Sequence, residues 1–347
     1  MGGWPWLLHL GTCGAVMAAN GCAAPGATLE AAPEVITWSV GTSLHSPVWS
    51  YRMHALVALT GDHRVAEISP ADRPEHARTK ISAPLAAGRN LQISQKDDGI
   101  VFVPQPERGR VASVDLESLR QVDDFDAGPA PAYLSEDAGL RVLLALSADG
   151  KSVTPVDQYG LRKLPTAKVS GDPADTIDGA NRSRDIDYHL FGSSGVRHYK
   201  GSSSPPEERG SLRIDVAVAA GDGTSVGRSY VAGHDDNVLY ALDARRGGHG
   251  MTVLASTRLP APIRALGTDD TRIYAATDRE LVVLETASFT GFPQHTIPVV
   301  RVIDYRAAPP GGAVKTARVS GMAIGPHRVY LTLADTGDVV GVAKSRL

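Results

Sequence analysis

The residues of this chain that could do acid–base, metal or nucleophilic chemistry are scattered. Five histidines, His189, His198, His234, His295 and His327, fall in no HxH or HExxH spacing, the spacings that bring two imidazoles to one metal ion. The densest polar group is His234-Asp235-Asp236, inside "SYVAGHDDNVLYALDARRGG". It could contact a cation or a sugar. Asp and Asn also belong in hairpin turns, where they bond their own backbone. "GDGTSVGRS" (residues 221–229) has the glycine content of a phosphate loop. Such a loop feeds a helix N-terminus, whereas this one stands between two strand-like runs. Short basic spots around Arg89 and Arg184 read as solvated loops, "NRS" at Asn181 matches a glycosylation sequon, and "SSSPPEERG" (residues 202–210) reads as a mobile polar loop. Both cysteines, Cys13 and Cys22, precede all of these. No metal site and no cofactor is expected.

The elements that would carry these residues repeat. The pattern "apolar strand, polar turn, apolar strand" centres on Leu56, Phe102, Leu143, Tyr188, Tyr230, Tyr274 and Tyr330, at steps of 41 to 46 residues and a last step of 56. One four-stranded propeller blade occupies ~40–45 residues. The long step is assigned to an insertion, "VIDYRAAPPGGAVKT" (residues 302–316). Runs such as "PAYLSEDAG" and "PIRALGTDD" precede each pair as inner strands, and runs such as "RQVDDFDAG" and "HTIPVVRV" follow as outer strands. Asp, Asn and Gly supply the turn conformations that tight hairpins require. The last unit lacks an outer strand, and "PEVITWSVG" (residues 33–41) is expected to provide it. Joining both chain ends in one blade closes the ring and covers its edges. The expectation is an all-β, seven-bladed β-propeller closed by an N-terminal strand. Six or eight blades are the alternatives, because the fourth unit is blurred.

"YVAGHDDNVLYALDARRG" resembles the repeat of pyrroloquinoline-quinone-type propellers, and the other units are similar to the looser YVTN-type repeat. At the level of pattern the resemblance spans residues 33–347. A quinone-dependent dehydrogenase would bring a stacking Trp in each blade, a vicinal disulfide and a carboxylate-bound calcium. Beyond the first 22 residues this chain has only Trp38 and Trp49 and no cysteine, so quinone chemistry is not expected. YVTN-like lactonases use Glu, His and Arg in the axial channel, which keeps a lactonase-like hydrolase as an alternative. The inner strands should bring Tyr51, Arg52, Gln92, Ser94, Tyr133, Asp178, Asp215, Arg264 and Met322 near the axis. Arg52, Asp215 and Arg264 are the expected polar contacts to a ligand at the channel mouth. A register error of one residue would turn any of them to the other face.

The segment "WPWLLHLGTCGAVMAANGC" is apolar, but short and interrupted for a membrane span. It resembles a bacterial lipoprotein signal, in which Cys22 would become the lipidated N-terminus. It departs from that pattern at Ala19, where Leu is usual, and in having no Lys or Arg before Arg52. The expected organisation is a signal peptide at 1–21, the lipid-attachment cysteine and a linker at 22–33, and one propeller domain at 34–347. The resemblance then implies that the folded body has no thiol chemistry. Ala, Arg, Gly and Val prevail over Lys, a composition similar to that of actinobacterial chains.

A net charge of −3 offers no excess of cations for phosphates, so nucleic acid is not an expected partner. With 42% hydrophobic and 21% charged residues the chain can build a core. The functional expectation is a binding or protein-interaction scaffold on the extracytoplasmic face of the cell membrane, held by a lipid, with secretion as the alternative. Its partners would be the membrane and an envelope protein or small ligand. An envelope-assembly subunit is a further alternative, because propeller lipoproteins with quinoprotein-like repeats serve there.

Overall fold

The computed structural model describes residues 33–202, 204–244, 250–307 and 313–344. The expected signal peptide and Cys22 lie outside the described residues. Residues 33–347 make one compact unit.

Seven antiparallel sheets follow one another along the chain. Blades 1 to 6 occupy residues 44–81, 92–126, 131–168, 176–212, 218–258 and 263–304, and blade 7 occupies 319–343. Strands are lettered A to D from the axis outward. All seven residues on which the repeat was aligned lie on B strands, and all are buried. Several B strands, such as Ala55–Thr60 and Arg328–Leu333, are buried along their whole length. They are covered on both faces by neighbouring blades, which is why they read as continuous apolar runs rather than alternating ones. Seven hydrophobic clusters fill the seven interfaces between successive blades.

The ring closes as expected. Val35–Ser39 is the outer strand of blade 7 and pairs with Asp338–Ala343 in antiparallel register, Val35 opposite Val342 and Ser39 opposite Asp338. Arg328 ties the same ends together: its guanidinium donates to the carbonyls of Pro33 and Gly341 at 3.0 and 3.2 Å. The Trp38 ring meets Tyr330 edge-on at 6.1 Å.

Three local expectations change. The polar stretch at 202–210 is not all loop, because Glu207–Leu212 is the outer strand of blade 4. The insertion in blade 6 starts later than residue 302: Val299–Asp304 is the outer strand, and Tyr305 behind it is fully buried, donating its hydroxyl to the Thr277 carbonyl at 2.6 Å. The outer strand of blade 3 is split into Arg162–Lys163 and Ala167–Lys168, both paired with Ser152–Asp157. Pro165 stands in the break, where it has no N–H to give the ladder.

The alternation of strands gives the disc two faces. The A–B and C–D turns lie on one, here the AB face. The B–C turns and the links between blades lie on the other, the BC face.

Candidate functional site

The inner strands surround an axial channel of about 480 Å³. Their starts are irregular: blades 1, 3, 6 and 7 each carry a β-bulge there. A bulge leaves a residue outside the ladder and re-aims its side chain. The exposed backbone and side-chain groups are then used by the next blade. The Ser46 hydroxyl of blade 1 donates to the Arg89 carbonyl ahead of blade 2 at 2.9 Å. Asn90 clasps Leu134 of blade 3, donating to its carbonyl at 2.7 Å and accepting its N–H at 2.8 Å. Ser135 donates to Asp178 of blade 4 at 3.2 Å and accepts the Gly179 N–H at 3.0 Å. Asp178 in turn accepts the Gly221 N–H of blade 5. Thr268 of blade 6 donates back to the Gly221 carbonyl at 2.6 Å. Asp278, in the B–C turn of blade 6, accepts the Val319 N–H of blade 7 at 3.3 Å, and Ser320 donates to the Leu44 carbonyl of blade 1 at 2.6 Å.

These contacts form a polar belt that passes once around the axis. It is tight: a Cβ on Gly179 would stand 2.1 Å from the Glu136 carbonyl oxygen, so no side chain fits between blades 3 and 4 there. Asp178 and Arg264 are the charged residues of the channel lining. Burial raises the Asp178 carboxyl to about 6 against three hydrogen bonds that pull it down. A shifted carboxyl in a cavity invites a catalytic reading. Here the shift has a structural cause, since both oxygens already bind neighbouring blades.

Of the three residues expected at the channel mouth, Arg264 lines the channel. It sits in the bulge of blade 6, and its Nε donates to Asp278 at 2.9 Å. Arg52 stands on the AB face, in the first turn of blade 1, where it pairs with Asp97 at 2.6 Å. Asp215 stands on the BC face, where its carboxylate meets the His234 ring at 2.9 Å and accepts the His234 N–H at 2.6 Å. The His234 contacts hold that carboxyl below its usual range. The His234-Asp235-Asp236 group is therefore a hairpin turn, with Asp236 accepting the Val238 N–H at 3.1 Å. Gln92, Tyr133 and Met322 line the channel. Tyr51 stands at its mouth on the AB face, beside Asp269, Asp270 and Lys344.

The feature that the sequence reading missed lies on the AB face. The three exposed aromatic rings among the described residues are Tyr51, Tyr159 and Phe289. Tyr51 is in an A–B turn, and Tyr159 and Phe289 are in C–D connections, so all three share one face. Two of them carry a guanidinium: Arg141 lies 5.4 Å from the Tyr159 ring centre and bonds its hydroxyl at 2.8 Å, and Arg272 lies 4.6 Å from that of Phe289. Tyr51 meets the Trp49 ring edge-on at 6.5 Å. Exposed aromatics beside arginines are the residue types enriched at the centres of protein interfaces. An aromatic residue in a turn between two strands, as in "DQYG", is the signal that could have found them.

No protein-family model and no curated protein matches the chain. Among solved structures, the fold is similar to a chain of a mitotic checkpoint complex, at 14% identity and a TM-score of 0.67 over 89% of this chain and 93% of that one. It is also similar to U3-55K, at 11% identity and a TM-score of 0.64 over 90% and 98%. The RRP9 WD40 repeats stand at 12% identity and a TM-score of 0.64 over 89% and 97%. At such identities the likeness is one of fold: a seven-bladed propeller with WD40-type neighbours.

Proposed function

We propose that this chain is an extracytoplasmic, lipid-anchored propeller that holds a partner protein on its AB face. The observation that carries the reading is that the exposed rings Tyr51, Tyr159 and Phe289, on blades 1, 3 and 6, all open onto that one face, two of them under guanidinium groups. WD40-type propellers often serve as interaction scaffolds, and that fold-level analogy supports the same reading. The tether is Cys22, on the strength of the lipoprotein-like signal, and it would place the disc at the outer face of the cell membrane. The quinoprotein-like and actinobacterial character of the sequence belongs to this reading as well. A lactonase-like hydrolase would need the channel's polar groups for substrate, whereas Asp178 and its neighbours are occupied in joining blades. Arg52 stands on the proposed binding face, Arg264 lines the channel and Asp215 lies on the opposite face.

The tether is tested by intact mass and detergent partitioning of the protein from its native host, wild type beside Cys22→Ala. An acylated Cys22 N-terminus, with detergent partitioning lost in the variant, is the expected result. An unprocessed, water-soluble wild-type chain overturns the lipid anchor.

A further inference from the structure

Between blades 4 and 5, on the AB face, lies a second cavity of about 680 Å³. It is bounded by the A–B turns of both blades, one of which is the glycine-containing stretch 221–229. Its wall carries five cationic side chains, Arg182, Arg184, Lys200, Arg209 and Arg228, against two carboxylates, Asp187 and Asp243. Four of the five cations also reach carboxylates outside the lining, Arg182 to Asp270 at 3.1 Å, Lys200 to Asp185 at 2.9 Å, Arg209 to Glu207 at 3.0 Å and Arg228 to Asp222 at 3.4 Å, so what the cleft offers a ligand is its unused donors rather than a bare excess of charge.

The donors of this wall are not all used. His198 is buried to 5% exposure and lines the cavity, yet neither ring nitrogen has a hydrogen-bond partner. Its Nε2 is 3.4 Å from Asp187 Oδ1, while the Ser183 hydroxyl binds the other oxygen of that carboxylate. The Nε atoms of Arg209 and Arg228 are likewise buried without an acceptor. Lys200 and Arg209 lean on Asp185 and Glu207, whose side chains are more than half exposed, pairs that are individually weak. Arg228 reaches Asp222 and Asp243 at 3.4 and 3.5 Å, at the limit of hydrogen bonding. Buried donors without acceptors are costly, and an anion in the cleft would satisfy several at once.

The acceptor that fits is tetrahedral. Arg209 comes from the outer strand of blade 4, His198 and Lys200 from its third strand, and Arg228 from the second strand of blade 5. Donors from these separate directions suit the oxygens of a phosphate better than the two coplanar oxygens of a carboxylate. The cavity volume exceeds that of the phosphate group alone and leaves room for an esterified substituent, within the ordinary range for small-ligand sites. We infer that the cleft between blades 4 and 5 binds a phosphate monoester through Arg209, Arg228, Lys200 and His198. The monoester could belong to a small metabolite or to a phosphorylated side chain. The inference goes beyond the scaffold reading and does not depend on the lipid anchor.

Titration calorimetry at low ionic strength tests it, with inorganic phosphate, glycerol 3-phosphate and a phosphoserine peptide as probes and chloride at equal ionic strength as the control. The expected result is saturable binding of the phosphate probes, weakened about tenfold or more in Arg209→Gln and Arg228→Gln. Arg228 also contacts Asp222, so its variant could lose stability; Arg209→Gln, nearer the surface, then decides. A peptide that binds tighter than glycerol 3-phosphate assigns the site to a phosphorylated protein, and the reverse order assigns it to a metabolite. No saturable binding, or binding unchanged in Arg209→Gln, overturns the inference.

Discussion

Ser135 donates its hydroxyl to Asp178 at 3.2 Å while its oxygen accepts the Gly179 N–H at 3.0 Å, so one small side chain joins blades 3 and 4 twice. Asp178 carries the connection onward to Gly221 of blade 5. Ser135→Ala should cost about 1–2 kcal/mol, and Asp178→Ala about 1–3 kcal/mol, because it leaves the Gly221 N–H without its acceptor. The two changes share one network, so the double variant should cost less than both together. Denaturant melts of the four proteins measure this, and strict additivity would contradict the belt.

Carboxyl burial sets the pH dependence. Burial raises Glu136 to about 8, and raises Asp137 and Asp178 each to about 6. A carboxyl raised on folding holds its proton more tightly in the native state. Its stabilising contribution is complete below the unfolded value, about 4, and is lost as pH climbs through the folded value. Asp269 runs the other way: burial opposes its charge, but Lys344 and the Thr271 N–H outweigh burial and hold it at about 2. Its contribution is lost only as pH falls through that value. The melting temperature should therefore be higher at pH 5 than at pH 8.5. Glu136→Gln should flatten the difference, stabilising the protein at pH 8.5 by about 1–3 kcal/mol. Thermal melts across this range check it, and an unchanged slope in the variant counts against the assignment.

Removal of residues 33–41 should unlatch blade 7. It deletes the strand Val35–Ser39, the Pro33 carbonyl that Arg328 binds and the Trp38 ring against Tyr330. It also bares the edge of Asp338–Ala343, a template for pairing with another copy. The expected outcome is a loss of more than about 3 kcal/mol with concentration-dependent association, read by melts and light scattering. A monomer with the wild-type melting temperature would refute non-covalent closure.

Tyrosines on equivalent strands should differ in what their hydroxyls contribute. Tyr230 donates to Asp222 at 2.6 Å, and Tyr274 donates to Asp269 at 2.9 Å, each bracing the A–B turn of its own blade. The Tyr188 hydroxyl is buried with no partner. Tyr230→Phe should cost about 1.5–3 kcal/mol, whereas Tyr188→Phe should be neutral or stabilising. Equal effects in the two variants would contradict this division.

The blade count, the order of strands and the closing strand were legible in the sequence because each rests on local pattern: apolar runs, Asp/Gly turns and a repeat length. The face of each strand was less legible. Leu56, Leu143 and Tyr188 pack toward the preceding blade, whereas Phe102, Tyr230, Tyr274 and Tyr330 pack toward the following one. The repeat marks the B strands but not their phase, because a strand buried on both sides shows no polar alternation. Arg52 and Asp215 flank inner strands, so the pattern brought them near the axis. Their partners Asp97 and His234 lie 45 and 19 residues away in sequence, and no local signal announces such pairs. The basic cleft was hidden for the same reason: its walls come from two blades.

The most direct test of the account is site-specific photo-crosslinking in the native host. A benzophenone residue is placed at Tyr51, Tyr159 or Phe289 on the AB face, or at Asp62 or Asp235 in exposed B–C turns on the opposite face. The account predicts one discrete protein adduct, common to the three AB-face positions and absent from both BC-face positions. The same adduct from both faces, or from the BC face alone, would contradict it.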